Sequence, residues 1–193
     1  QLTILIALAY QISENQELFN LLEQLPDIIK DSFQLENQVQ NVIPFFRNSE
    51  HLLIFGRGLL YGLVQESELK IQETSYLDAR CYSASDYQHG PIATSLSFVP
   101  TIFFIADKQT DKSIIQLHQR LKEEKNIFSL IISNKDNISE LGDLSIKIPH
   151  QYDGLSAVFV CAIISQMFAC LLSIARGYNP DSPIGVSKHT VTI

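Results

Sequence analysis

The chain has 193 residues, 46% of them hydrophobic and 18% charged, enough for one domain that buries roughly 70% of its unfolded surface, and this composition excludes a disordered polypeptide. A formal charge of -7, with no cluster of lysines and arginines, excludes a nucleic-acid partner, whose phosphates require a basic face. Cys81, Cys161 and Cys170 are odd in number and widely spaced, two of them in an apolar run, and read as reduced, buried thiols of a cytoplasmic protein.

In chain order, "QLTILIALAYQI" begins at full helical stride, without a cap and without the basic leader of a signal peptide; with Gln at position 1 and Met167 the sole methionine, the chain reads as cut from something longer. Residues 2–12 and 16–34 are expected to be amphipathic helices, the second placing Leu18, Leu21, Leu22 and Leu25 before Pro26 and Ile28, Ile29 and Phe33 after it. From His51 the texture changes. "HLLIFGRG" reads as a short apolar strand running into glycines, "LLYGLVQESELKIQETSYL" as a helix, and "RCYSAS" as a second strand. "PTIFFIAD" is the next strand, "DKSIIQLHQRLKEEK" a helix, and "IFSLIISN" and "LSIKIP" are two more strands. Residues 157–175, "AVFVCAIISQMFACLLSIA", carry no charge over a bilayer-crossing length, but Ser165, Gln166 and Ser173 and the soluble α/β context favour a buried core helix with no membrane partner. Apolar strands alternating with helices imply an α/β fold, a three-layer α/β/α sandwich on about five parallel strands, with ligands at the strands' carboxyl ends.

Three places carry chemistry. In "FGRGLLYG", Gly56, Gly58 and Gly62 follow a strand and open a helix, so backbone amides and Arg57 are placed to hold an anion; the spacing is not that of a dinucleotide loop, so no nucleotide cofactor is expected. The same glycines serve equally to permit a tight turn. Glu66, Lys70 and Glu73 stand at i, i+4 and i+7, on one face of the following helix, where they form either a solvated ion-pair row or a functional group of charges. His89 lies on the loop "SASDYQHGP", ahead of Gly90 and Pro91.

The run "ESELKIQETSYLDARCYSASDYQHGP", together with "FGRG" and the ending "ARGYNPDSPIGVSKHTVTI", resembles the sugar isomerase (SIS) domain of the glucosamine-6-phosphate synthase superfamily over residues 51–193. The resemblance implies a SIS, flavodoxin-like sheet in residues 49–193, preceded by a helical segment, 1–48, that ends an earlier SIS domain and links it to this one. It implies that Glu73 moves a proton between adjacent carbons of an open-chain sugar, that Lys70 balances the charge formed, and that His89, supplied across a homodimer interface, assists ring opening. Lys188 matches the tail lysine that forms a Schiff base with the ketose carbonyl, and Glu66, Gly56 and Arg57 would contact substrate.

The function so implied is aldose-ketose isomerisation, coupled to amination or deamination, of a 6-phosphorylated amino sugar of the glucosamine 6-phosphate and fructose 6-phosphate type, with neither metal nor cofactor. Two alternatives stand beside it, a module that senses a phosphosugar without chemistry and a dimerisation remnant without a ligand. The chain departs from the family in two ways. It has no Ser/Thr-rich phosphate loop of the type S-x-S-G-x-T, which is expected in a missing N-terminal part, so that this fragment alone would be a poor catalyst. It also has Ile184 and Gly185 where the synthases have arginine and asparagine, and its "ARGYNPDSP" approach looks more like glutamine-independent deaminases and isomerases.

Overall fold

Alternation along the strands decides the architecture. In a computed structural model that describes residues 1–94 and 99–185, β1 (His51–Gly56), β2 (Asp78–Ser83), β3 (Pro100–Ile105), β4 (Phe128–Ser133) and β5 (Leu144–Lys147) form one sheet in the order β2-β1-β3-β4-β5, every pair parallel. Leu52 and Ile54 of β1, Ile102 and Phe104 of β3, and Leu130 and Ile132 of β4 point into one core, while Phe55, Phe103, Ile105 and Ile131 point into the other. Both faces are therefore apolar, as the continuous hydrophobic runs require.

The larger core lies under α2 (Gln16–Phe33), α3 (Glu36–Val42), α4 (Tyr61–Ser75) and α8 (Leu155–Ala175); the smaller lies under α6 (Asp111–Lys125) and the single turns α5 (Ala84–Tyr87) and α7 (Asp136–Ser139). Leu21, Leu25 and Ile28 of α2 and Val39 and Val42 of α3 join the same core as the sheet, so residues 16–42 pack with the α/β unit. At the edge, Gln38 of α3 accepts from the Lys147 amide at 2.8 Å and donates to its carbonyl at 3.2 Å, covering β5 where another strand could add.

Three expectations need adjustment. α1 (Leu2–Ser13) has no fully buried residue; one side is partly covered, with Ile6 against the larger core and Tyr10 5.3 Å from Phe19, while Ile4 is 70% and Ile12 78% exposed, so its apolar stretch is wider than the side it covers. β2 starts at Asp78, two residues early, because parallel pairing of His51 with Asp78 recruits polar residues that the hydrophobic pattern leaves out. Cys170 is exposed on the outer side of α8, whereas Cys161 is buried and Cys81 half-buried; all three are free. α8 is long and apolar enough to cross a bilayer, and it lies here against the sheet and α4 with 61% of its apolar window buried.

Candidate active site

The charged row on α4 forms as its helical spacing dictates. Lys70 Nζ donates to Glu73 Oε2 at 2.8 Å and lies 3.8 Å from Glu66 Oε1. Hydrogen bonding to Glu73 holds the Lys70 ammonium above the usual lysine range, outweighing the opposing effect of burial. Glu73 is the more sheltered carboxylate, its side chain 29% exposed against 50% for Glu66. The opposite face of the helix keeps the row in place. Leu63, Val64, Ser67, Ile71 and Ser75 are buried, and Thr74, next to Glu73, donates to the Lys70 carbonyl at 2.8 Å.

The glycine turn stands at the other end of this helix. A rise of about 18 Å separates Tyr61 from Glu73, against about 7.5 Å to Glu66, so the turn of Gly56 and Arg57 lies towards the Glu66 end of the row and away from Glu73. A methyl group on Gly56 would come within 2.8 Å of Val64 Cγ1 and 3.0 Å of the Leu60 carbonyl oxygen. Gly58, at φ 61, packs where a side chain would meet Thr110 Cγ2 at 2.9 Å and Asp107 Oδ2 at 3.2 Å. Close packing and a left-handed backbone thus account for both glycines, and the nearby Asp107 carboxylate opposes an anion at Gly58. Arg57 is half-exposed on the extended residue between them.

His89 follows β2, at the end opposite to Glu73. Six residues of β2 extend about 20 Å, so the two side chains flank different ends of one strand within a single chain. The loop itself is firmly mounted. Tyr87, 1% exposed, packs edge-on against Phe55 at 4.7 Å and at a tilt against Tyr82 at 4.8 Å, and His89 N–H donates to the Asp86 carbonyl at 3.1 Å. From that anchor Gln88, His89 and Gly90 project into solvent, and Pro91 opens a 3-10 turn. Lys188 lies outside the described residues.

Sequence reasoning missed the contacts that tie the tail to α4. Arg176 donates to the carbonyls of Ser75 at 2.9 Å, Arg47 at 2.9 Å and Ser49 at 2.8 Å, closing the end of α8 onto the end of α4. Tyr76, the C-cap of α4, packs edge-on against Tyr178 at 4.7 Å. The left-handed cap at Tyr76, where glycine is usual, is visible only in the structure, so no local signal in the sequence marks these contacts. Among the described residues no group of three histidines, cysteines or carboxylates is arranged to hold a metal ion. Cys81, whose thiol donates to Glu68 at 2.9 Å, is pushed up to about 12 by burial and then by that carboxylate, and is not a ready nucleophile.

What this arrangement offers chemically is a half-sheltered carboxylate in contact with a fixed ammonium, beside an anchored tail. Over its full length the chain is 28% identical to glutamine-fructose-6-phosphate aminotransferase (isomerizing) of Aquifex aeolicus and covers 33% of that protein, so it spans about a third of the length of the curated relatives it matches. Its fold is that of the C-terminal domain of glucosamine-fructose-6-phosphate aminotransferase from Francisella tularensis, with a TM-score of 0.70 and 20% identity over 85% of this chain and 45% of that one. Glucosamine-6-phosphate deaminase from Thermotoga maritima superposes with a TM-score of 0.65 and 20% identity over 96% of this chain and 53% of its own. Residues 45–176, which take in the whole sheet and α4 to α8, match the SIS domain, and the chain belongs to that family.

Proposed function

We propose that this chain is the domain of a phosphosugar aldose-ketose isomerase that carries the proton-transferring base, in a reaction coupled to amination or deamination of a 6-phosphorylated amino sugar. The observation that carries the reading is the contact of Lys70 with Glu73 on a half-sheltered helix face. Isomerisation removes a proton from the carbon beside a carbonyl or imine and returns it to the neighbouring carbon, so it needs one carboxylate to carry the proton and one fixed cation to offset charge on the enolate-like intermediate. Glu73 and Lys70 have the chemistry for these roles. The names of the relatives, an isomerizing aminotransferase and a deaminase, support the substrate class and the coupling to nitrogen transfer.

In this reading Lys188 adds to the ketose carbonyl and water leaves, giving an imine; ammonia then adds to the imine carbon and the lysine amine leaves, so that the proton transfer by Glu73 takes place on the released sugar imine. His89 is contributed to the site of a second copy in a homodimer, consistent with its exposure and with its place at the far end of β2 from Glu73. The test is solvent deuterium incorporation at C1 or C2 of fructose 6-phosphate or glucosamine 6-phosphate by the full-length protein. Incorporation that disappears in Glu73→Gln supports the reading, and incorporation undiminished in that variant overturns it. The tail departures at Ile184 and Gly185 weigh against the synthases in particular and towards a deaminase or isomerase; binding of the sugar phosphate with no incorporation by the wild type would instead select the sensing module.

A further inference from the structure

Tyr76 holds its place at a conformational disadvantage. It caps α4 at φ 51, a left-handed backbone that glycine adopts readily and a bulky aromatic residue seldom does. Its side chain meets the C-terminal tail at two points. The ring packs edge-on against Tyr178, with centroids 4.7 Å apart, and the hydroxyl accepts from the Ile184 amide while lying 3.5 Å from the Ile184 carbonyl oxygen, to which it donates. Between these points the tail turns back on itself, with Asp181 N–H donating to Asn179 Oδ1 at 3.0 Å and Ser182 N–H to the Asn179 carbonyl at 3.2 Å. The root of the tail is fixed to the same helix end by the Arg176 bond to Ser75. Ile184 itself is 77% exposed, so apolar burial does not hold it, and among the described residues the Tyr76 phenol is what bonds it.

We infer that Tyr76 is a positioning residue, which seats the C-terminal tail against the end of α4 that carries Glu73. The inference rests on the isomerase reading, in which Lys188, four residues beyond Ile184, must work with Glu73. A strained cap residue whose side chain anchors a functional segment is a recurrent use of backbone strain. The phenylalanine variant deletes only the hydroxyl. The glycine variant also relieves the backbone, which offsets part of the packing lost with the ring.

The experiment compares full-length wild type, Tyr76→Phe and Tyr76→Gly by hydrogen exchange of the peptide spanning residues 178–185 and by turnover of fructose 6-phosphate. Both variants are expected to exchange the Ile184 amide about tenfold faster and to lose about tenfold in kcat, with KM changed less than twofold. Unchanged exchange in Tyr76→Phe overturns the anchor, and faster exchange with unchanged kcat overturns the positioning role. Loss of the isomerase reading has a different signature, since Glu73→Gln would then retain turnover while the exchange comparison still decides whether Tyr76 holds the tail.

Discussion

Ser165 on α8 donates its hydroxyl to Ser67 Oγ on α4 across 2.6 Å, and Ser67 in turn donates to the Leu63 carbonyl at 2.9 Å. Both hydroxyls are buried in the contact that sets the rotation of α4, and so the direction in which Glu66, Lys70 and Glu73 face. Removing the two ends of this relay should not be equivalent. Ser67→Ala leaves the Ser165 hydroxyl buried without its acceptor and should cost about 1–3 kcal/mol, whereas Ser165→Ala leaves Ser67 bonded to Leu63 and should cost about 1 kcal/mol. Urea denaturation of both variants measures the difference, and equal losses would mean that the relay does not run in this direction.

Lys70→Gln tests the fixed cation. A half-exposed ion pair contributes about 0–1 kcal/mol to stability, so the variant should unfold close to wild type. A cation preorganised beside developing negative charge contributes more to a transition state, and turnover of the full-length protein should fall about 100-fold. Thermal melting and steady-state kinetics on one preparation separate the two effects. A fall in stability without a fall in kcat would assign Lys70 to the helix surface alone.

The reach of the sequence can be judged from these same residues. β1, β3 and β4 were legible because covering both faces makes nearly every position apolar, and the Glu66, Lys70, Glu73 row was legible because helical spacing alone puts it on one face. α3 leaves no visible period, because "ENQVQNV" offers only Val39 and Val42 to the core. The contact of Tyr76 with Ile184 joins residues 108 apart, and such a pairing leaves no local pattern. The glycines after β1 carried an ambiguity that only packing could resolve, since an anion loop and a tight turn require the same residue.

Exchange of subunits tests the proposal that His89 works on another copy's substrate. Full-length Glu73→Gln and His89→Ala proteins should each be inactive as homodimers. Co-refolded in equal amounts, half of the dimers would be mixed, each with one intact site, giving roughly a quarter of wild-type activity for a two-fold assembly. No recovery in a mixture shown to contain heterodimers would place both residues in the site of one chain.

His118 makes the folded state sensitive to mild acid. It is 2% exposed on α6, packed edge-on against Phe103 at 5.0 Å, with Nε2 3.0 Å from Ser129 Oγ. Ser129 gives its own proton to Asp143 Oδ2 at 3.1 Å, so His118 must donate through Nε2, leaving Nδ1 as a bare, buried nitrogen with no partner among the described residues. Protonating Nδ1 would bury an unpaired N–H and a charge; burial foremost, and then the Lys122 ammonium, depress this histidine to about 4, with Asp143 acting weakly the other way. A depressed histidine favours folding fully above its ordinary value of 6.5, and the contribution is lost as pH falls from there towards 4, because only the unfolded chain takes up the proton. The loss should reach about 2 kcal/mol between pH 7 and pH 4.5. Asp78, Asp136 and Asp143, each held below the usual carboxylate value of 3.8, lose their contributions at lower pH, so of the groups displaced from their ordinary values among the described residues His118 is the one that acts between pH 4 and pH 7. In His118→Gln, which keeps a donor for Ser129 and does not titrate, denaturation midpoints at pH 7 and pH 4.5 should nearly coincide; an acid-sensitive limb that survives unchanged in this variant would assign it to another group.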